Sequence, residues 1–169
     1  ILVLDFGSQY TQLIARRIRD LNVFSVILPW DVSTEKIKHL NLKGVILSGG
    51  PESVTESNTP RIPEIIFKLD VPVLGICYGM QTLAEQFGGQ VSSSKNKEFG
   101  HAQILLEKSS LLFDGFSSGS SIDVWMSHGD HVSTLPDQFN LIASTASAPI
   151  AAMEHVQKPI YALQFHPEV

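Results

Sequence analysis

The single cysteine of the chain stands in a sequence that is typical of a nucleophile. Cys77 ends an apolar run and precedes an amphipathic stretch, with Gly75 two residues before it and Gly79 two residues after it. A sharp strand-to-helix turn of this kind strains the nucleophile's backbone and projects its side chain above the sheet, and the glycines remove clashing Cβ atoms. The helix N-terminus also favours an anion, here the thiolate. The pattern predicts a catalytic Cys77 rather than a small buried hydrophobe.

A cysteine nucleophile needs a base, and the chain has six histidines. His166 is the best placed of them because it follows the apolar run 160–165, at the same end of a strand as Cys77. Glu168 lies two residues further on, and Pro167 between them makes this spacing rigid. We therefore expect His166 to be the base and Glu168 to orient its ring. The segment alone also fits an exposed turn, and the cysteine turn favours the catalytic interpretation.

Backbone N–H groups that could stabilise an oxyanion are predicted at Gly50 and Tyr78. Gly50 belongs to a glycine-rich segment, 48–51, that follows another buried run, and Tyr78 directly follows the nucleophile. Glycine leaves the backbone accessible, so its N–H group can face a reacting atom. The alternative is a plain turn rich in glycine and proline.

The elements that must position these residues alternate in the first half of the chain. Apolar runs predict strands at 1–4, 23–28, 44–47 and 71–76, and amphipathic stretches predict helices over 13–21, 34–40, 63–69 and 78–87. Ser33 or Thr34 is the expected N-cap of the second helix. Continuous apolar runs favour strands that are buried on both faces of a parallel sheet, and the alternation predicts a doubly wound α/β structure.

After Gly89 the pattern changes to alternating segments that predict antiparallel strands. They lie at 102–107, 122–126, 141–145, 150–154 and 160–165. Trp125 and Met126 are expected to be core residues of the second of these strands. The whole predicts one α/β domain over residues 1–169. Its fold would be three-layered and flavodoxin-like. The sheet of this fold would be parallel in the first half, with antiparallel strands added from the second half.

Composition excludes several classes of protein. The 169 residues are 43% hydrophobic and 17% charged, with a formal charge of −5, and they contain no apolar run of the length that a membrane span needs. An acidic chain without a basic cluster is not expected to bind nucleic acid. One cysteine cannot form an internal disulfide, which fits a cytoplasmic location. The chain opens within an apolar run, so we expect it to be one domain of a longer polypeptide.

Metal and nucleotide sites are not expected in this chain. His128 and His131 flank Gly129 and Asp130, but there is no second histidine or cysteine pair at the spacing of a metal site. The chain also lacks the glycine-rich motifs of dinucleotide and phosphate-binding loops.

Three separated motifs resemble those of the class I (triad) glutamine amidotransferases, and the resemblance runs over essentially the whole chain. The motifs are SGGP at 48–51, GICYGMQ at 75–81 and FHPE at 165–168. Within that family, the segments 5–12, 49–53 and 125–130 are similar to the glutaminase domains of GMP synthetases. The resemblance implies the class I glutamine amidotransferase fold.

The resemblance also implies a reaction. L-glutamine would be hydrolysed to glutamate and ammonia through a γ-glutamyl thioester on Cys77, with His166 as general base and then acid, and Glu168 orienting it. The α-amino and α-carboxylate groups of glutamine would be held by Gln81 and by a loop that joins two strands. That loop comprises Ser127, His128, Gly129 and Asp130.

In the GMP synthetases the ammonia passes to an ATP-pyrophosphatase (synthetase) domain that converts XMP to GMP. That domain would lie outside these residues, in the same polypeptide or as a separate subunit, so ATP and Mg²⁺ are expected there and no cofactor is expected here. The resemblance implies a cytoplasmic, homodimeric parent enzyme without membrane or nucleic-acid partners.

Other functions stay open from the sequence. A different hydrolase with the same cysteine turn, such as a γ-glutamyl hydrolase, would prefer a larger γ-glutamyl substrate and need no partner domain. The glutaminase subunit of another amidotransferase is a second possibility. A non-catalytic flavodoxin-like module, with Cys77 buried and inert, is the third.

Overall fold

The strands of the first half are short, and those of the second half include two long ones. The computed structural model describes residues 1–169 apart from the side chain of Asn96. In the described chain, strands β1 to β9 comprise Leu2–Asp5, Val26–Pro29, Val45–Leu47, Val73–Ile76, Gln90–Leu106, Ser121–Thr134, Phe139–Ser144, Ala152–His155 and Ile160–Leu163. Helices α1 to α3 comprise Thr11–Asp20, Thr34–Lys38 and Tyr78–Gln86, and two 3₁₀ helices comprise Glu64–Lys68 and Leu111–Phe113.

All described strands join one mixed sheet in the order β2-β1-β3-β4-β9-β8-β7-β5-β6. Strands β1 to β4 pair in parallel, and β9 extends this parallel part beside β4. The remaining neighbours pair in antiparallel fashion. The prediction of a parallel first half with antiparallel strands added from the second half is therefore confirmed, except that β9, predicted to be antiparallel, is parallel to β4 on one side and antiparallel to β8 on the other. The pairing of β4 with β9 brings the two predicted catalytic segments to one edge of the sheet.

Helices cover both faces of the parallel part. In β1, Leu2 and Leu4 join the core cluster that contains Ile37 of α2 and several residues of α3. Val3, which points to the other face, packs with Ile14 of α1. Alternation along one strand thus builds three layers, because successive side chains of a strand point to opposite faces.

Some predicted elements differ from the observed ones at their ends. Ser33 is the N-cap of α2, and its hydroxyl accepts a hydrogen bond from the N–H of Lys36, as expected for a capping serine. Strand β2 starts at Val26 rather than at residue 23, because Asn22 takes a positive φ of 61° after α1 and Phe24 is exposed. The predicted helix over 63–69 is a 3₁₀ helix.

The largest difference concerns the ribbon that β5 and β6 form. These strands have 17 and 14 residues and are far longer than the predicted segments 102–107 and 122–126. Met126 is fully buried as expected, but Trp125 is 42% exposed, so its assignment to the core was wrong. Strand β6 lies at the edge of the sheet, and alternate residues of an edge strand face solvent when no helix covers them.

None of the described helices has the length and apolar character that crossing a membrane would require.

Candidate active site

Cys77 occupies a strained turn between β4 and α3. Its φ is 51° and its ψ is −106°, a conformation that non-glycine residues rarely adopt. A Cβ atom on Gly75 would lie 2.9 Å from the backbone of Gly79, and one on Gly79 would lie 2.5 Å from the carbonyl oxygen of Leu47. Only glycine at these two positions allows strand and helix to approach so closely. The turn therefore has the geometry that the sequence predicts.

The structure brings His166 and Glu168 against this turn. Nδ1 of His166 lies 2.8 Å from Oε1 of Glu168. The imidazole and the cysteine flank Gly49, where a Cβ atom would lie 3.2 Å from Cε1 of His166 and 3.6 Å from Cβ of Cys77. Both side chains are almost fully buried, at 4% and 3% exposure. The backbone N–H of Cys77 donates to the carbonyl of Leu163 at 2.7 Å, which fixes the turn to the end of β9. The three predicted catalytic side chains thus form one contiguous, buried array.

Two residues that the sequence analysis did not single out hold this segment. The guanidinium of Arg17 donates through Nε to the carbonyl oxygen of Glu168 at 3.1 Å, across 151 positions of sequence. The ring of Tyr10 contacts the His166 ring edge-on, with centroids 5.1 Å apart. Contacts over such sequence distances leave no local pattern by which they could have been found.

The pKa of His166 is raised from its ordinary value of 6.5 to about 9. Burial lowers this pKa because it disfavours the charged ring, but hydrogen bonds and charge attraction from Cys77 and Glu168 outweigh the burial. Taken by itself, the group stabilises the fold fully below pH 6.5, and this contribution is lost as pH rises through about 9. The site therefore favours an imidazolium beside the cysteine.

We expect an NMR titration to show His166 losing its proton near pH 9. His155 supplies an internal control, since burial and Lys158 lower its pKa, so it should titrate below its ordinary value of 6.5. In Cys77→Ala the midpoint of His166 should move down, because one of the two groups that favour the imidazolium is gone. A midpoint that stays the same in that variant would contradict the contact.

The predicted oxyanion segment lies beside the cysteine turn. Ser48 fixes the position of this segment. Its hydroxyl accepts a hydrogen bond from the N–H of Phe6 at 2.9 Å and donates one to the carbonyl of Gly49 at 2.8 Å. A Cβ on Gly50 would lie 2.5 Å from the carbonyl oxygen of Phe6, so glycine is required for this approach to the residue that follows β1. Among the described hydrogen bonds, none uses the N–H of Gly50 or that of Tyr78. Neither group is therefore committed to an acceptor within the described hydrogen bonds.

The segment from Ser127 to Asp130 is not a connecting loop, and the sequence-based expectation was wrong. It lies inside β6 and pairs with β5, where Ser127 faces Phe99 and Asp130 faces Ser93 across an irregularity of register. A glycine next to an aspartate is typical of a turn, but the long partner strand supplies ladder hydrogen bonds that keep the segment extended.

The side chains of this segment are held in place by neighbouring groups. The ring of His128 lies between the carbonyl of Asp130 at 2.9 Å and Oε2 of Glu98 at 3.0 Å. The Asp130 carboxylate accepts from the hydroxyls of Ser53 at 2.5 Å and Ser93 at 2.9 Å. Both side chains are thus held by hydrogen bonds within the protein. Any contact that they make with a ligand would be made from a fixed position.

These residues surround one cleft of about 670 Å³. Of the predicted site residues, eight line it: Gly50, Cys77, Gln81, Ser127, His128, Gly129, Asp130 and His166. Tyr78 and Glu168 lie behind the wall, next to the cysteine and the histidine that they adjoin in sequence or by contact. The segment 7–10, which follows β1, completes the other side. The volume lies in the range of small-molecule sites, and the many polar side chains of the lining suit a polar ligand.

Among the described residues, no group of three or more histidine, cysteine, aspartate or glutamate side chains is arranged to hold a metal ion.

Comparison with known proteins defines the class to which this fold and cleft belong. The family model of the class-I glutamine amidotransferases matches residues 2–169. The chain belongs to this family, and the resemblance drawn from the three motifs is confirmed.

Curated proteins similar to the chain include glutamine-hydrolysing GMP synthases. Those of Hahella chejuensis and Teredinibacter turnerae are each 57% identical to the chain over 100% of its length. The chain covers 34% and 33% of these two relatives, so it spans about a third of their length. The finer resemblance, to the glutaminase domains of GMP synthetases, is therefore confirmed as well.

Solved structures agree with this assignment of family and fold. A protein from Thermoplasma acidophilum, described as a GMP synthase subunit, has a TM-score of 0.86 and 36% identity, over 99% of this chain and 83% of that one. A glutamine amidotransferase from Thermotoga maritima has a TM-score of 0.76 and 24% identity, over 100% and 76% of the two chains. The second similarity concerns the fold alone.

Proposed function

We propose that this chain is the glutaminase domain of a GMP synthase, and that it hydrolyses L-glutamine to glutamate and ammonia. The observation that carries the proposal is the grouping of three buried side chains: His166 bonds Glu168 through Nδ1, and His166 and Cys77 lie together beside Gly49 at the wall of one cleft. Membership of the glutamine amidotransferase family supports the substrate.

In the proposed reaction, the Cys77 thiolate attacks the carboxamide carbon of glutamine. The oxyanion that forms receives hydrogen bonds from the N–H groups of Gly50 and Tyr78. His166 gives its proton to the departing ammonia, which leaves a γ-glutamyl thioester on the sulfur. The same imidazole then takes a proton from water, whose attack on the thioester releases glutamate and frees Cys77.

The glutamine side of the cleft is proposed to be Gln81 together with the strand segment of Ser127, His128, Gly129 and Asp130. Nε2 of Gln81 donates to the carbonyl of Asp130 at 2.9 Å, so this side chain and the strand segment are already joined. None of the described hydrogen bonds uses Oε1 of Gln81, which leaves an acceptor for the α-amino group of the substrate. Extended backbone in β6 offers further donors and acceptors.

The ammonia is proposed to serve an ATP-dependent synthetase domain of the same polypeptide, which aminates XMP to GMP. The length of the GMP synthase relatives, about three times that of this chain, supports a further domain in cis. The boundaries of the glutaminase domain at residues 1–169, a homodimeric parent enzyme and a cytoplasmic location stay predictions.

The test of the proposed function is covalent labelling by a diazo-ketone analogue of L-glutamine. We expect one adduct per chain, mapped to Cys77 by peptide mass spectrometry, and protection by L-glutamine. The D-enantiomer of the analogue is the matched control for recognition by the cleft, and Cys77→Ala is the control for the site of labelling.

Two outcomes would contradict the proposal. Labelling at another residue, or none, would remove Cys77 from the chemistry. Protection by a larger γ-glutamyl peptide but not by glutamine would instead indicate a γ-glutamyl hydrolase.

A further inference from the structure

Gln164 is a polar side chain in a position where burial should disfavour it. It follows β9 directly, two residues before His166, and is completely buried. An amide without hydrogen bonds in such a place is destabilising, so its partners are informative. Its backbone N–H donates to the carbonyl of Ala151 at 2.8 Å, which fixes the main chain.

The neighbours of Gln164 determine which way its amide points. Nε2 of Gln81 donates to the backbone carbonyl of Asp130 at 2.9 Å, and a carbonyl oxygen can only accept. The same nitrogen lies 3.3 Å from Gln164, so Gln164 must present its oxygen there. Its amide nitrogen then faces Sγ of Cys77, at 3.7 Å. The backbone carbonyl of Asp130 thus orients the amide of Gln81, and Gln81 in turn orients the amide of Gln164. As a result, Gln164 directs an N–H donor at the Cys77 sulfur.

We propose that Gln164 is a positioning residue that holds the Cys77 sulfur and favours its thiolate form. The proposal deepens the proposed function and rests on it for its catalytic meaning. The N–H of Gln164 stabilises a negative sulfur, because hydrogen bonds to a charged acceptor are stronger than those to a neutral one.

The carbonyl oxygen of Ser127 has the opposite effect on Cys77, because it favours the thiol over the thiolate. Sγ of Cys77 lies 3.5 Å from it and donates to it as a thiol. This contact favours the protonated form, so Gln164 and His166 together must outweigh it for the thiolate to form. The pair Gln81–Gln164 also connects a residue that lines the cleft to the nucleophile through a single amide contact.

The test uses the fact that the chain has one cysteine, so alkylation by iodoacetamide reports Cys77 alone. In Gln164→Met the donor is lost at similar side-chain length. We expect alkylation at neutral pH to slow about tenfold and the pH of half-maximal rate to rise by about one unit. The matched control is Gln86→Met on α3, whose amide bonds to the backbone of Ile62 instead. It should react like the parent chain.

Turnover separates positioning from a merely structural role. We expect Gln164→Met to lower kcat for glutamine about tenfold with a smaller change in KM, because the loss falls on the nucleophile rather than on substrate binding. If the parent chain does not hydrolyse glutamine at all, the proposed function fails, while alkylation still tests the Gln164 contact.

A measurement on the unsubstituted chain covers the case in which Gln164→Met does not fold. The side-chain amide protons of Gln164 should shift in the NMR spectrum over the same pH range in which alkylation of Cys77 sets in. They should also shift when Cys77 is alkylated. The proposal is overturned if these signals do not respond, or if folded Gln164→Met keeps the parent's alkylation profile.

Discussion

Replacing Cys77 with alanine is expected to abolish glutamine hydrolysis, by on the order of 10⁴-fold or more. The thiolate forms the covalent intermediate in the proposed reaction, and no neighbouring group can take its place. Release of glutamate, measured over long incubations, gives the size of the loss. Cys77→Ser is the companion variant: it preserves the size of the side chain, but its hydroxyl is far less acidic, so it too should be inactive.

The control for this prediction is the whole protein of which the chain is proposed to be a part. Cys77→Ala should still permit GMP synthesis when free ammonia is added, because only the supply of ammonia is removed. Loss of the ammonia-dependent reaction would mean that the proposed division of labour between two domains is wrong. Hydrolysis that persists in Cys77→Ala would exclude the thioester.

Substitutions of the other two members of the array are expected to differ from each other. His166→Ala should reduce glutamine hydrolysis nearly as much as loss of Cys77, since it removes both the base and the partner of the thiolate. Glu168→Gln should leave residual activity. Its amide oxygen can still accept from Nδ1 across the present 2.8 Å contact, but the negative charge that supports the imidazolium is lost.

Steady-state rates of the two variants test this order, with His39→Ala as the histidine control. His39 lies at the exposed C-terminal cap of α2 and does not line the cleft, so its substitution should leave turnover unchanged. Equal losses in His166→Ala and Glu168→Gln would show that the carboxylate does more than orient the ring. Full activity in His166→Ala would remove it from the reaction.

Several features of this protein follow from short stretches of sequence. The alternation of apolar runs and helices in the first half was enough to predict the parallel sheet, because each strand and each helix carries its own pattern. The signal for the turn at Cys77 was equally local, since two glycines, the cysteine and the start of the following helix lie within five residues. His166 and Glu168 became candidates for the same reason, being two residues apart at the end of a strand.

Only the tertiary structure decided how distant segments complete the site. The strand character of Ser127–Asp130 depends on pairing with β5, and the exposure of Trp125 depends on β6 being an edge strand. The orientation of Gln164 depends on a carbonyl 34 positions earlier and on a helix from the first half. These contacts join residues that are far apart along the chain, so their geometry is set by how the strands pack. A local pattern of residue types records what a segment can form by itself, but it does not record which segment will lie beside it.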